Sequence, residues 1–272
     1  MLEGKVIGFI GAGNMGEALI CGLVQSGRVK KSDIIVSDIN KDRLNTLAQT
    51  QGIRIAGSNI ELMEESSIVI IAVKPWQVDP LLDEIASSSR EDQLFISIIA
   101  GAATGRFSAK LHPQCGVVRA MPNTPASVLA GATALYAGKN VSSENLQDAV
   151  AIFDCAGKAV VAQTEALMDA VTGLSGSGPA YVLLAIEALG DAGVLLGIPR
   201  TEAYLLAAQT VYGTAKMLLE TGKSPAELKA GVTTPGGTTA AGLRMLEKGG
   251  LRSAITDAVE AAAARSRELG NK

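Results

Sequence analysis

Along the first part of the chain, short apolar runs alternate with stretches of helical spacing. Val6–Ile10, Ser66–Val73 and Leu94–Ile99 have the length and side-chain types of buried strands, and Asp33–Asp38 reads as another. Between them, Ala18, Leu19, Gly22 and Leu23 fall on one face of a helix. Asn40–Gln51 and Trp76–Ser88 read as two more. A further strand from Gly116 stops at the double-proline turn Met121-Pro122-Asn123-Thr124-Pro125. Beyond it come a strand at Gly131–Tyr136, a helix over Glu144–Cys155 and a last strand at Lys158–Val161. This alternation predicts a doubly wound, mainly parallel sheet.

Near Gln163 the buried-strand runs stop and helical patterns take over. Ser177 and Pro179 are expected to open a helix running to about Leu196, and Ile198-Pro199-Arg200 another to about Thr221. Ser224-Pro225 starts a short one, and two more cover Thr239–Glu247 and Leu251–Leu269. The expectation is therefore an α/β fold in two parts. A Rossmann-type domain spans 1–163, followed by an all-helical domain over 164–272.

The first strand breaks into Gly11-Ala12-Gly13-Asn14-Met15-Gly16, a Gly-x-Gly-x-x-Gly that follows a strand and opens a helix. Gly11 permits the tight turn, Gly13 lets backbone approach a pyrophosphate, and Gly16 lets the helix pack close to the strand. The unpaired N–H groups at the helix start then hold phosphate charge, so a nicotinamide or flavin dinucleotide is the expected ligand. Asp38 lies about twenty residues on, where a carboxylate can bind a ribose 2′-hydroxyl. Its neighbours Ser37, Lys41 and Arg43 would suit a 2′-phosphate instead, and Asp38 could equally cap the helix beginning near Lys41. Residues at strand ends of a parallel sheet face the ligand crevice, which brings in Ala72, Val73, Lys74 and Pro75. Lys74 could touch the dinucleotide or simply be solvated.

Composition narrows the remainder. At 272 residues the chain can bury a sizeable core, and a net charge of −3 gives no basic excess for nucleic acid or an anionic membrane. Aromatic residues are only 3% of the chain, so aliphatic side chains must fill the interior. Cys21, Cys115 and Cys155 are widely spaced and odd in number, as expected of buried thiols in a reducing cytosol rather than disulfides or a zinc site. One histidine, His112 in an expected turn, is too few for a His-based metal cluster. No signal peptide is visible before the first strand. The apolar stretch Val182–Ile198 is interrupted by Glu187 and Asp191, which predicts a core or interface helix rather than a membrane span.

Two clusters in the helical half carry further chemistry, Leu174-Ser175-Gly176-Ser177-Gly178-Pro179 and Val232-Thr233-Thr234-Pro235-Gly236-Gly237-Thr238-Thr239. Each places glycines and hydroxyls where a helix is expected to begin, a setting that suits a carboxylate. With these motifs, with Gly11–Gly16, Ala72–Pro75 and Met121–Pro125, the chain resembles the pyrroline-5-carboxylate reductases over essentially its whole length.

The resemblance implies hydride transfer from NADPH, with NADH possible, to the C=N carbon of 1-pyrroline-5-carboxylate, giving proline. It implies cofactor contacts from Gly11, Ala12, Gly13, Asn14, Met15, Gly16, Ser37, Asp38, Asn59, Ala72, Val73, Lys74, Pro75, Ile98, Ile99 and Ala100. Substrate contacts would come from Glu165, Ser175, Gly176, Ser177, Gly236, Gly237, Thr238 and Thr239, the last with its hydroxyl facing the ring nitrogen. It further implies a cytoplasmic homodimer, or an assembly of dimers, built through the helical domain, with no nucleic-acid or membrane partner and no metal. Asp38 departs from the small hydroxyl residue of several NADPH-preferring relatives, which leaves the choice between the two cofactors open. A β-hydroxyacid dehydrogenase is the nearest alternative: Gly173, Gly176 and Gly178 fit its motif, but Val182 and Ala185 stand where its lysine and asparagine belong. A non-catalytic dinucleotide-binding redox sensor is the other, and it would not need a second hydroxyl-rich pocket.

Overall fold

A computed structural model describes residues 2–270. The chain divides into two compact units. The first runs to Ser177 and resumes at Ala261, and the second is Gly178–Glu260.

The first unit holds β1 (Ile7–Ile10), α1 (Asn14–Ser26), β2 (Ile34–Ser37), α2 (Lys41–Gln51), β3 (Arg54–Ile55), α3 (Asn59–Glu65) and β4 (Ile68–Ile71). It continues with α4 (Val78–Ile85), β5 (Leu94–Ser97), α5 (Thr104–Ser108), β6 (Gly116–Met121), β7 (Gly131–Ala137), α6 (Ser143–Asp154), β8 (Gly157–Val161) and α7 (Leu167–Val171). The eight strands form one sheet in the order β3-β2-β1-β4-β5-β6-β7-β8. Every pairing is parallel except β6 with β7, where a return of nine residues brings the chain straight back beside itself.

Side chains alternate between the two faces of this sheet, as the two-residue period of a strand requires. Ile7, Phe9, Ile34, Val36, Ile68, Ile70, Leu94 and Ile96 join the layer under α1 and α6. Ile35, Val69, Ile71, Phe95 and Val117 join the opposite layer with Leu62, Leu82 and Phe107 from α3, α4 and α5. The aliphatic interior expected from composition is present, and all four phenylalanines are fully buried within it. Four elements of the first unit were not apparent from the pattern of apolar positions. β3 is two residues long, α5 and α7 five each, and α3 seven.

Of the three free thiols, Cys115 and Cys155 are buried, while Cys21 is only half-buried, against the expectation that all three would be enclosed. Burial pushes the Cys115 thiol up to about 11. His112 lies between α5 and β6, where its Nδ1 accepts from the Gln114 amide.

The expected helix start at Ser177 and Pro179 needs correction. Helix is already under way from Leu167, passes through a π turn at Thr172–Gly176, and continues as α8 (Gly178–Leu195). The Ser177 N–H donates to the Thr172 carbonyl five residues back, at 2.8 Å. The glycines and serines therefore widen a helix rather than begin one.

In the second unit α8 is followed by α9 (Arg200–Thr221), α10 (Pro225–Gly231), α11 (Thr238–Lys248) and α12 (Leu251–Gly270), whose last turns belong to the first unit. α8 lies against α9 at Gly190, where an added Cβ would stand 2.8 Å from the Tyr204 ring. The Tyr181 hydroxyl donates to the Ala258 carbonyl, joining α8 to α12. Only Gly190 of α8 is buried, while Leu183, Leu184, Leu195, Leu205, Leu206 and Leu219 are all more than half exposed. By length and composition alone the stretch Leu167–Leu195 could cross a membrane.

Candidate functional site

The sheet order places β1 between β2 and β4, so the chain leaves the carboxyl ends of β1 and β4 in opposite directions. Open parallel sheets bind ligands in the crevice that such a switch point creates. Here the crevice is a cavity of about 940 Å³, lined by Gly11 and Gly13 after β1, by Ser37 at the end of β2 and Asp38 after it, by Asn59 at the start of α3, and by Ala72, Val73 and Lys74 after β4.

The glycine loop is shaped by contact. Gly11 has φ of +103°, and a Cβ there would lie 2.6 Å from the Ala72 carbonyl oxygen. One on Gly16 would lie 2.6 Å from the Gly11 carbonyl oxygen, so α1 and the strand end touch backbone to backbone. Gly13 differs. Its Cβ would meet nothing within 4 Å, and as N-cap of α1 it offers no side-chain acceptor to the first-turn amides. The open space over Gly13 and the unpaired helix start together fit a phosphate-bearing ligand.

Asp38 is fixed by backbone. Its Oδ2 accepts from the Ala12 N–H at 2.6 Å, and its Oδ1 from the Asn40 N–H at 2.8 Å. The helix cap at this point is Asn40, whose Oδ1 accepts from the Arg43 N–H at 3.0 Å, so Asp38 is no cap for α2. The Arg43 guanidinium also lines the cavity, but its Nη2 is drawn to Glu17 at 2.7 Å and to the Asn14 side chain at 3.0 Å. Ser37 donates to the Asn59 carboxamide oxygen at 2.7 Å, and Asn59 in turn donates to both oxygens of Glu84.

The remaining residues expected around the dinucleotide do not line the cavity. Ala12, Met15 and Gly16 turn into the packing beneath the loop, and Asn14 engages Arg43. Pro75 opens a short turn ahead of α4. Ile98–Ala100 follow β5, with Ile99 buried and Ala100 exposed. Sequence reasoning missed Ile39, Trp76 and Glu84 on the cavity wall. Ile39 is 85% and Trp76 75% exposed, so two large apolar side chains stand at its rim without packing partners. Both directly follow strand-end residues already singled out, which was the available signal.

Glu165 sits in a polar cluster of the first unit. Its Oε1 accepts from the Thr104 N–H at 2.6 Å and its Oε2 from the Thr104 hydroxyl at 3.0 Å. Arg119, buried on β6, reaches Asp169 at 3.2 Å and Glu165 at 3.9 Å. Ser266 near the end of α12 completes the cluster by donating to Asp169 at 2.7 Å. Ser175, Gly176 and Ser177 are half-buried in the π turn, where the Ser175 hydroxyl donates to the Val171 carbonyl.

In the second unit, the other cluster does begin a helix. Gly236 takes φ of +67°, and the Gly237 N–H donates to the Thr234 carbonyl at 3.0 Å. Gly237 caps α11 without a side-chain acceptor, leaving the amides of its first turn free beside Thr238 and the half-buried Thr239. Such an end is suited to an anion.

A doubly wound sheet with a glycine cradle at its switch point defines a dinucleotide-dependent oxidoreductase of the Rossmann type. Residues 6–101 match a family described as NADP oxidoreductase coenzyme F420-dependent, and residues 165–269 one described as pyrroline-5-carboxylate reductase dimerisation. A pyrroline-5-carboxylate reductase of Methanosarcina acetivorans is 45% identical, covering 100% of each chain. A solved pyrroline-5-carboxylate reductase from Coxiella burnetii superposes with a TM-score of 0.93 at 37% identity, covering 97% of this chain and 98% of its own. One from Plasmodium falciparum, solved with NADP bound, gives 0.87 at 34% identity and covers 98% and 99%. The chain belongs to the pyrroline-5-carboxylate reductase family.

The Arg119 cluster gives a stability prediction. Replacing Arg119 by Met leaves Asp169 and Glu165 without their buried cation, and should lower the unfolding free energy by about 3–5 kcal/mol. Urea denaturation measures this, and an unchanged midpoint would show that the cluster contributes nothing net.

Proposed function

We propose that this chain reduces 1-pyrroline-5-carboxylate to L-proline as the closing step of proline synthesis, using NADPH or NADH. The observation that carries the reading is the open cradle over Gly13 at the switch point, in a chain matched along its whole length by relatives named for this reaction. The NADP held by the Plasmodium falciparum relative supports the choice of cofactor. The functional division proposed is dinucleotide binding by residues 1–163 and substrate binding and dimerisation by 164–272, the second part drawing on both compact units, which divide at Ser177 and Ala261.

When bound, the dinucleotide supplies a hydride to the C=N carbon of the ring. The chain's own residues bind and orient. The amides opening α1, from Asn14 on, hold the pyrophosphate, with Gly13 leaving room for it and Gly11, Ala12, Met15 and Gly16 setting the loop's shape. Ser37, Asp38, Asn59 and Ala72–Lys74, which line the cavity, contact the remainder of the cofactor, while Pro75 and Ile98–Ala100 stand outside it. The free amides of α11, with Gly236, Gly237 and Thr238, take the substrate carboxylate. Thr239 directs its hydroxyl to the ring nitrogen. Glu165 and the Ser175–Ser177 turn make the other substrate contacts. A cyclic imine gains a proton readily, so orientation by a hydroxyl suffices and no strong general acid is required.

The working form is a cytoplasmic homodimer, alone or assembled further. Its support is the apolar surface left open on α8 and α9, too large to suit a monomer in water. The same surface reads as an interface rather than a membrane span, because Glu187 and Asp191 interrupt it.

Side-by-side oxidation of NADPH and NADH with 1-pyrroline-5-carboxylate tests the activity. Consumption with either cofactor supports it, and cofactor binding with no consumption would leave the redox sensor as the better reading. The ratio of kcat/KM values reports whether Asp38 or its basic neighbours govern the 2′ position. Gly13→Ala should fold with an unchanged Tm, since its methyl meets no protein atom, yet weaken dinucleotide binding about tenfold or more. Equal affinity in that variant would remove Gly13 from the phosphate site. Thr239→Ala should keep the fold and lower kcat on the order of tenfold to a hundredfold; unchanged kinetics would take Thr239 out of the mechanism.

A further inference from the structure

The Met-Pro-Asn-Thr-Pro turn after β6 has no task in the reading above, yet its asparagine is buried at 9% exposure with both ends of the carboxamide in use. Asn123 Oδ1 accepts from the Ala132 N–H at 2.8 Å. Its Nδ2 donates to the Ser175 carbonyl at 3.1 Å.

The second bond repairs a defect written into the sequence. In a helix the Ser175 carbonyl would accept from the amide four residues on, but that residue is Pro179, which has no N–H. The Ser177 amide is committed to the Thr172 carbonyl. A part-buried carbonyl left without a donor is costly, and Asn123 provides the donor from outside the helix. Beside it, Met121 lies against the bare Cα of Gly176, where a Cβ would stand 2.6 Å from the Met121 methyl. The turn is thus seated on the end of β6 through one polar and one apolar contact.

We propose that Asn123 is a positioning residue for the substrate: by holding the Ser175 carbonyl that Pro179 leaves unpaired, it fixes how the Ser175–Ser177 turn is presented to the cyclic imino acid. This rests on the reading that the turn contacts substrate. With both ends of its carboxamide committed to Ala132 and Ser175, Asn123 acts through the peptide it holds. Fixing that peptide plane sets the backbone at Gly176 and the direction of the Ser177 hydroxyl.

The test compares Asn123→Asp, Asn123→Ser, Ser177→Ala and the double variant N123D/P179A, by steady-state kinetics and thermal melting. Asp keeps an acceptor for Ala132 but sets a carboxylate against the Ser175 carbonyl. Ser is uncharged and too short to reach it, and keeps the test available should the Asp variant not fold. The expected result is a KM for 1-pyrroline-5-carboxylate raised about tenfold in both Asn123 variants, with KM for the nicotinamide cofactor and kcat within about twofold. In the double variant the Pro179→Ala change restores a helical N–H donor, and KM should fall back toward that of the unaltered protein. A raised substrate KM in Ser177→Ala with none in the Asn123 variants would overturn the positioning role alone. No change in Ser177→Ala or in the Asn123 variants would remove the turn from the substrate site, and the proposal with it. Equal loss toward both substrates with a lowered Tm and no recovery in the double variant would reduce Asn123 to a structural role.

Discussion

Between Gly11 and the Ala72 carbonyl there is room for a hydrogen and nothing larger. That contact lets the chain turn sharply out of β1 and pass beside the end of β4 without a side chain between them. It in turn allows α1 to start directly over the strand end, touching Gly11 through Gly16. A helix whose amides open onto a cavity, rather than onto packed side chains, follows from these two close approaches. The rest of the sheet supports them. Ile7, Phe9, Ile68 and Ile70 bury β1 and β4 in one layer, Ile10, Val69 and Ile71 in the other, and the parallel ladder that pairs Ile10 with Ile71 brings Gly11 beside Ala72.

Much of this was legible beforehand, for identifiable reasons. β1, β4 and β5 are buried on both faces and therefore written as unbroken apolar runs. Gly11, Gly13 and Gly16 stand out because few residues can meet their backbone demands. What escaped was written in less local terms. β3 pairs only Arg54 and Ile55 with β2, too few positions to establish a period. The antiparallel direction of β7 depends on where β6 ends, which no pattern within Gly131–Ala137 records. The stretch around Ser175–Pro179 misled because serine, glycine and proline mark helix starts in most settings. Here they sit inside a helix, and the bond that makes this tolerable comes from Asn123, more than fifty positions earlier.

The candidate site was read with the same unevenness. The cofactor residues that line the cavity were found where a strand end or a glycine marked them. Ile39, Trp76 and Glu84 were not, because surface side chains on a cavity rim carry no periodic signature. Asp38 was identified by position, but its backbone bonds to Ala12 and Asn40 depend on how two loops meet. Those bonds make it a fixed charge rather than a mobile one. A fixed carboxylate and a guanidinium turned away toward Glu17 shape the field at the end of β2 before any ligand arrives.

The order of units along the chain has a consequence for synthesis. The second unit is an insertion, entered after Ser177 and left before Ala261, and the first is completed only by the last turns of α12. Ser266 must reach Asp169, and Gly270 must come against Gly101, where an added Cβ on Gly270 would stand 2.6 Å from the Gly101 oxygen. As the chain emerges from the ribosome, the sheet can assemble early, but the polar cluster around Arg119 stays open until Ser266 in α12 has been made. A nascent chain cut short before Ser266 would carry a formed sheet without the contacts that Ser266 and Gly270 make to Asp169 and Gly101. Helix α12 is in that sense a latch, closing only on molecules in which its last turns have been made.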